Sequence, residues 1–162
     1  MFGRLQDYEV EEVLTRQYVG RLGCSADGRT YIIPISYAYD GKYLYFHAAG
    51  EGRKIEMMRK NREVCFQTDS MENMASWKSV ICWGIFEEVV DEQQRTDALK
   101  VLLGRELPVI TSQTVHISPN WPFHPADYKD IKGIVFRILI TEKSGRFENL
   151  LNQRNTETTA FT

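Results

Sequence analysis

Residues 32–55 read IIPISYAYDGKYLYFHAAGEGRKI, and the fold turns on how this stretch divides. Two strand-like runs flank Asp40-Gly41, a dipeptide suited to a two-residue type I′ hairpin turn. That turn pairs Tyr39 with Lys42, Tyr37 with Leu44, Ile35 with Phe46 and Pro34 with His47. Alternation then places Ile33, Ile35, Tyr37, Leu44 and Phe46 on a core face. Pro34, Ser36, Ala38, Tyr43, Tyr45 and His47 share the opposite face. Pro34 cannot donate to a ladder and so marks an edge, a bulge or a barrel seam. Beyond His47, Gly50-Glu51-Gly52-Arg53-Lys54 opens a helix over 52–61.

Upstream, Asp27-Gly28 joins a strand over 20–26 to the run 29–39, which makes a three-strand meander. Val10, Val13, Leu14 and Tyr18 have the spacing of a short amphipathic helix over 7–18. Downstream, 63–68 and 76–90 read as strands, with Gly84 at a bulge. Asp91 is an N-cap with Gln94 in capping-box position. The helix over 92–103 ends at Gly104, in the C′ place. Residues 105–132 carry four of the five prolines with His116, Trp121, Phe123 and His124. Residues 133–143 form a last strand. The expected fold is mainly β: six or seven antiparallel strands with inserted helices, closed into a small barrel. One domain spans 1–162, with its core over about 16–143 and a polar tail over about 148–162.

The bulk composition fits that picture. The 162 residues are 43% hydrophobic and 26% charged, as in an ordinary globular domain. Twenty basic and 22 acidic residues give a net charge of −2, without the basic excess of a nucleic-acid binder. No apolar run approaches the ~20 residues of a membrane helix, and the first residues lack the apolar stretch of a signal peptide. Cys24, Cys65 and Cys82 are odd in number and widely spaced. That fits free thiols in a reducing cytoplasm and neither zinc nor a redox dithiol. None of His47, His116 and His124 has metal-ligand spacing with another His or Cys, so no metal site is expected.

Three segments carry candidate chemistry. Glycines at 50 and 52 let a backbone approach an anion. A helix N-terminus beside Arg53 and Lys54 would suit a terminal phosphate. On spacing alone, a loop before a solvated basic helix start is the favoured reading. His47 reads equally as a structural histidine or as a site residue sharing a face with Ser36 and Tyr45. No partnered carboxylate makes a nucleophilic triad of Ser36 and His47. The hydroxyls of Ser76-Trp77-Lys78-Ser79-Val80 could line a ligand, although an ordinary strand start explains them. Trp121-Pro122-Phe123-His124-Pro125 reads best as a loop pinned by its aromatics.

In order and spacing, these segments resemble the pyridoxamine 5′-phosphate oxidase-like, FMN-binding split-barrel superfamily, closest to its 5-nitroimidazole-resistance branch. The residues that carry the resemblance are 31–37, Asp40-Gly41, 45–47, 52–54, Asn61, 77–80 and Gly84, and it spans about Arg16 to Lys143. It implies a six-stranded antiparallel split barrel with peripheral helices, forming a homodimer with FMN at the interface. Pro34, Ile35, Ser36 and Tyr37 would run beside the flavin, with His47 near it. Gly52, Arg53 and Lys54 would hold the phosphate. Ser79 and Val80 would contact the flavin from the neighbouring strand. The implied activity is an FMN-dependent oxidoreductase, of flavin- or nitro-compound-reductase type, acting on a small molecule with NAD(P)H as a donor. His47 is the candidate for proton delivery or substrate contact. The alternative is a non-catalytic flavin or haem binder. Neither end of the strand over 31–36 is basic, unlike in the true oxidases, which disfavours pyridoxine phosphate as substrate.

Overall fold

A computed structural model describes residues 1–105 and 127–149. The elements are β1 (Phe2–Arg4), α1 (Asp7–Arg16), β2 (Val19–Ala26), β3 (Arg29–Ser36), β4 (Ala38–Tyr39), β5 (Tyr43–Ala48), α2 (Arg53–Lys60), β6 (Glu63–Asn73), β7 (Ser76–Glu88), α3 (Glu92–Gly104) and β8 (Ile134–Asn149). A 3-10 turn over Tyr128–Asp130 precedes β8.

The strands form one antiparallel sheet in the order β3-β2-β6-β7-β8-β5-β4, with β1 paired to the far end of β8. The two ends of this order, β3 and β4, are halves of one chain run joined at Tyr37. Its first half pairs with β2 and its second with β5. The hydrogen-bonded sheet is therefore not closed by a last ladder; its two edges are consecutive parts of the chain that meet at Tyr37. At that junction the Tyr37 N–H donates to the carbonyl of Tyr18. Merging β3 with β4 and setting β1 aside leaves six long runs, the expected split barrel.

The interior is apolar and aromatic. Tyr37, Phe46, Phe66 and Phe136 are fully buried with Leu14, Leu22 and Leu44. Phe46 stacks on Phe136 at 5.0 Å and meets Phe66 edge-on at 5.7 Å, geometries that add to simple area burial. Ile55 and Met58 of α2 enter the same core. A second cluster lies outside the barrel, where Ala98, Leu99 and Leu102 of α3 cover Ala38, Tyr45 and Val135.

The first hairpin folds as expected. Ala26 pairs with Arg29, and Asp27 and Gly28 take φ values of 52° and 75°. The second does not: Tyr39 pairs with Leu44 and Ala38 with Tyr45. Gly41 and Lys42 form its loop because Asp40 stays outside it as an acceptor, its Oδ1 taking the N–H groups of Lys42 at 2.9 Å and Tyr43 at 2.7 Å. An Asp before a turn is stabilised in this way. The faces survive the shift, but the expected pairs Ile35–Phe46 and Pro34–His47 do not form. Ile35 and Pro34 lie opposite Gly20 and Arg21 of β2, and β5 finds its long partner in β8.

Other boundaries also move. The pairing of β7 shifts register at Gly84, as expected for a bulge. Asp91 caps α3 by accepting the Gln94 N–H at 2.9 Å. Gly104 is not a left-handed C′ residue; α3 runs through it and ends at an extended Arg105. β6 and β8 are longer than their apolar cores suggest, and β1 was not foreseen. His116, Trp121, Phe123 and His124 lie outside the described residues.

Candidate functional site

The start of α2 gathers the strongest chemistry. Its N-cap, Gly52, supplies no side-chain hydrogen bond, so the first amides of the helix have neither an intrahelical partner nor a cap. A Cβ built at Gly50 or Gly52 would meet nothing within 4 Å, so no described neighbour demands glycine there. Arg53 and Lys54 stand at the positive end of the helix dipole, an unfavourable place for cations. The guanidinium of Arg53 lies 5.7 Å from the Tyr31 ring. Neither Arg53 nor Lys54 has a carboxylate partner among the described residues. The two basic residues at the other end of the helix are paired, Arg59 with Glu51 and Glu88, and Lys60 with Asp27. The helix thus presents two uncompensated charges beside free backbone donors.

His47, at the end of β5, faces the same corner. Its Nε2 lies 2.6 Å from the Lys132 carbonyl. A carbonyl only accepts, so Nε2 carries the proton and Nδ1 is left as the acceptor nitrogen. Burial lowers the His47 pKa from the ordinary value, and the nearby charges of Arg95 and Lys54 push the same way, against the Lys132 hydrogen bond. The ring is therefore neutral at pH 7. Gly133 makes this contact possible. At φ 99° it adopts a conformation that L side chains avoid, and a Cβ there would stand 2.3 Å from the Ala48 carbonyl and 2.9 Å from His47 Nε2.

The remaining expected residues are spread more widely. Pro34 is exposed on the outer face of β3, in a row that runs through Arg21, Gln67 and Ile81. Ser36 lies opposite Val19. Ile35 packs against the core. Tyr37 and Val80 are fully buried; the Tyr37 hydroxyl donates to the Leu14 carbonyl at 2.8 Å. Either residue could offer a ligand only its backbone. Ser79 accepts a 3.0 Å hydrogen bond from Gln67 Nε2. Tyr45 and His47 alternate on β5 and so share a face; Tyr45 is buried beneath α3 with its hydroxyl on Asp40, and Ser36 pairs with Val19 of β2.

A second correction concerns Ser79 and Val80. β7 does not neighbour β3, because β2 and β6 lie between them. Three ladder spacings put roughly 14 Å between those strands. The face that separates them is unusually apolar for an outer surface. The row Ile32–Gly23–Cys65–Trp83 crosses all four strands, with Ile32 65% and Trp83 53% exposed. Gly23 leaves a recess in this row, part of a groove of about 540 Å³. The thiols of Cys24, Cys65 and Cys82 are free.

Sequence reasoning missed Lys132, Gly133, Gln67 and Arg59. A glycine directly before a strand was the available signal for Gly133. The other three act through partners distant in sequence.

Comparison with known proteins agrees with this architecture. The family model described as pyridoxamine 5′-phosphate oxidase matches residues 6–147. A crystal structure of an FAD-binding protein from Mesorhizobium loti is 34% identical, covering 92% of this chain and 99% of that one, with a TM-score of 0.70. A candidate 5-nitroimidazole antibiotic resistance protein from Bacteroides thetaiotaomicron shares the fold at 18% identity, over 91% of this chain and 87% of that one, with a TM-score of 0.69. An uncharacterized protein from Rhizobium meliloti is 36% identical over 90 residues, which are 55% of this chain and 59% of that relative's length. The chain belongs to the pyridoxamine 5′-phosphate oxidase family.

Proposed function

We propose that this protein binds a flavin nucleotide, FMN, at the interface of a homodimer and serves as an oxidoreductase for a small-molecule substrate. The observation that carries the reading is the pair of uncompensated cations, Arg53 and Lys54, beside the free amides at the start of α2. The donor set fits a phosphate: an arginine fork, a lysine point charge and backbone N–H groups around one corner. The Mesorhizobium loti relative, 34% identical, is described as FAD-binding, which supports a flavin nucleotide as the ligand class.

The dimer reading rests on two features. Ser79 lies three strands from β3 along the sheet, and a second copy could bring it to the same site. The apolar outer face of β2, β3, β6 and β7 offers that copy a surface.

When bound, the flavin supplies hydride or electron transfer, with NAD(P)H as the proposed donor. The chain's own residues bind, orient and exclude water. Arg53 and Lys54 hold the phosphate. The strand end at exposed Pro34 and half-buried Ser36 would run beside the ring, and Ile32 and Trp83 would exclude water at the interface. His47, neutral with its Nε2 proton committed to Lys132, keeps Nδ1 as an acceptor for a ligand. No side chain performs covalent chemistry.

The test is a visible spectrum of purified protein with FMN and FAD, followed by NAD(P)H reduction. Protein that stays colourless with both flavins would defeat the reading. Bound flavin that NAD(P)H does not reduce would leave a binder in place of a reductase. Replacing Arg53 and Lys54 together with Ala weakens FMN far more than riboflavin, because charge-assisted hydrogen bonds to phosphate contribute about 1.5–3 kcal/mol each.

A further inference from the structure

Arg59 occupies the last turn of α2, yet it reaches back to the glycine loop that precedes the helix. Its Nη1 and Nη2 donate to the two carboxylate oxygens of Glu51 at 2.8 and 3.0 Å. Its Nε and Nη2 also donate to Glu88, at the end of β7, at 2.9 and 2.8 Å. One guanidinium thus joins a loop, a helix and a strand through two bidentate forks, the strongest geometry open to arginine. Isolated surface ion pairs contribute little, but bidentate networks are the exception.

The consequence lies at the other end of the helix. Glu51 is only two and three residues from Arg53 and Lys54, as close in sequence as Glu56 of the first helical turn. A carboxylate there would pair with those cations and with the free amides at the helix start, as a phosphate would. The network turns it toward Arg59 instead, and Arg53 and Lys54 have no carboxylate partner among the described residues.

We infer that Arg59, backed by Glu88, is a positioning residue that holds Glu51 away from the start of α2 and so keeps that corner open to a phosphate. Arg59 itself touches no ligand. It acts through Glu51, and Glu88 fixes it to the barrel wall. The inference rests on the phosphate reading above and adds an internal competitor to it.

The experiment compares FMN and riboflavin affinities for the full-length apo-protein and three variants, by fluorescence titration. Arg59→Gln frees Glu51 and weakens FMN roughly tenfold while leaving riboflavin unchanged, the scale of one lost charge-assisted contact. The double variant Arg59→Gln/Glu51→Gln removes the competitor and recovers most of the lost FMN affinity. Glu51→Gln alone binds FMN at least as well as the parent. A merely structural Arg59 would lower both flavins alike and show no recovery in the double variant; either result overturns the inference. If Arg59→Gln folds poorly, Glu88→Gln frees one fork at the strand while the helix stays intact, and it shows a smaller loss in the same direction. FMN that binds the parent no better than riboflavin does would fault the phosphate reading. A normal parental preference with no change in the variants would fault the positioning role alone.

Discussion

His47 shows how a single side chain can be legible in type and illegible in role. Its place at the end of a strand beside a glycine loop marked it as a candidate. Its protonation state depends on Lys132, 85 residues away, and on burial that no local pattern reveals. The sign of its effect on stability follows from the lowered pKa. In the unfolded chain the imidazole takes a proton near 6.5; in the folded chain it does so only at lower pH. Between the two values the unfolded state binds more protons, so stability rises with pH. The contribution is present in full above about 6.5 and is lost as pH falls toward the folded value. The Tm of the parent therefore falls on acidification from about pH 7.5 to about pH 5.5. His47→Gln, which can still donate to Lys132, flattens that part of the profile. An unchanged slope in the variant would remove His47 as its source.

At the scale of elements, local chemistry was most reliable where a segment satisfies itself. The Asp27-Gly28 turn, α1 with Val10, Val13 and Leu14 on one face, and the Asp91 cap all depend on residues within four positions of one another. Asp91→Ala removes an N-cap acceptor and costs about 1 kcal/mol. It appears as a lower urea midpoint at constant m-value, and an unchanged midpoint would show that α3 is held by its packing alone. The second hairpin failed by the same logic: its turn chemistry was correct, but the Asp40 side chain decided which two residues form the loop. β8 extends to Asn149 beyond its apolar run because β7 and β1 lend it partners, a gain invisible to periodicity.

At the scale of the whole molecule, the order of strands separates Ser79 from β3 and leaves Ile32 and Trp83 exposed on the face between them. In the proposed homodimer a second copy would bury that surface. The parent is expected to sediment as a dimer. Trp83→Asp shifts it toward monomer with unchanged far-ultraviolet circular dichroism, because the side chain packs against nothing in the barrel interior. Wild-type protein that sediments as a monomer at micromolar concentration would end the interface reading, and a Trp83→Asp dimer would move the interface to another face.

Short-range patterns alone carried the positions of most strands and helices, the core face of the hairpin, the basic pair Arg53-Lys54, and the resemblance to the family. Each of these is written in short-range periodicity, in turn and cap chemistry, or in motif order. Long-range packing settled that β3 and β4, the two edges of the sheet, meet at Tyr37, that β5 pairs with β8, that Gly133 makes room for His47, and that Arg59 joins Glu51 to Glu88. These arrangements join residues 8 to 96 positions apart. They are fixed by which hydrogen-bond donors and apolar surfaces remain unsatisfied once the local elements have formed, and chain order does not encode that remainder.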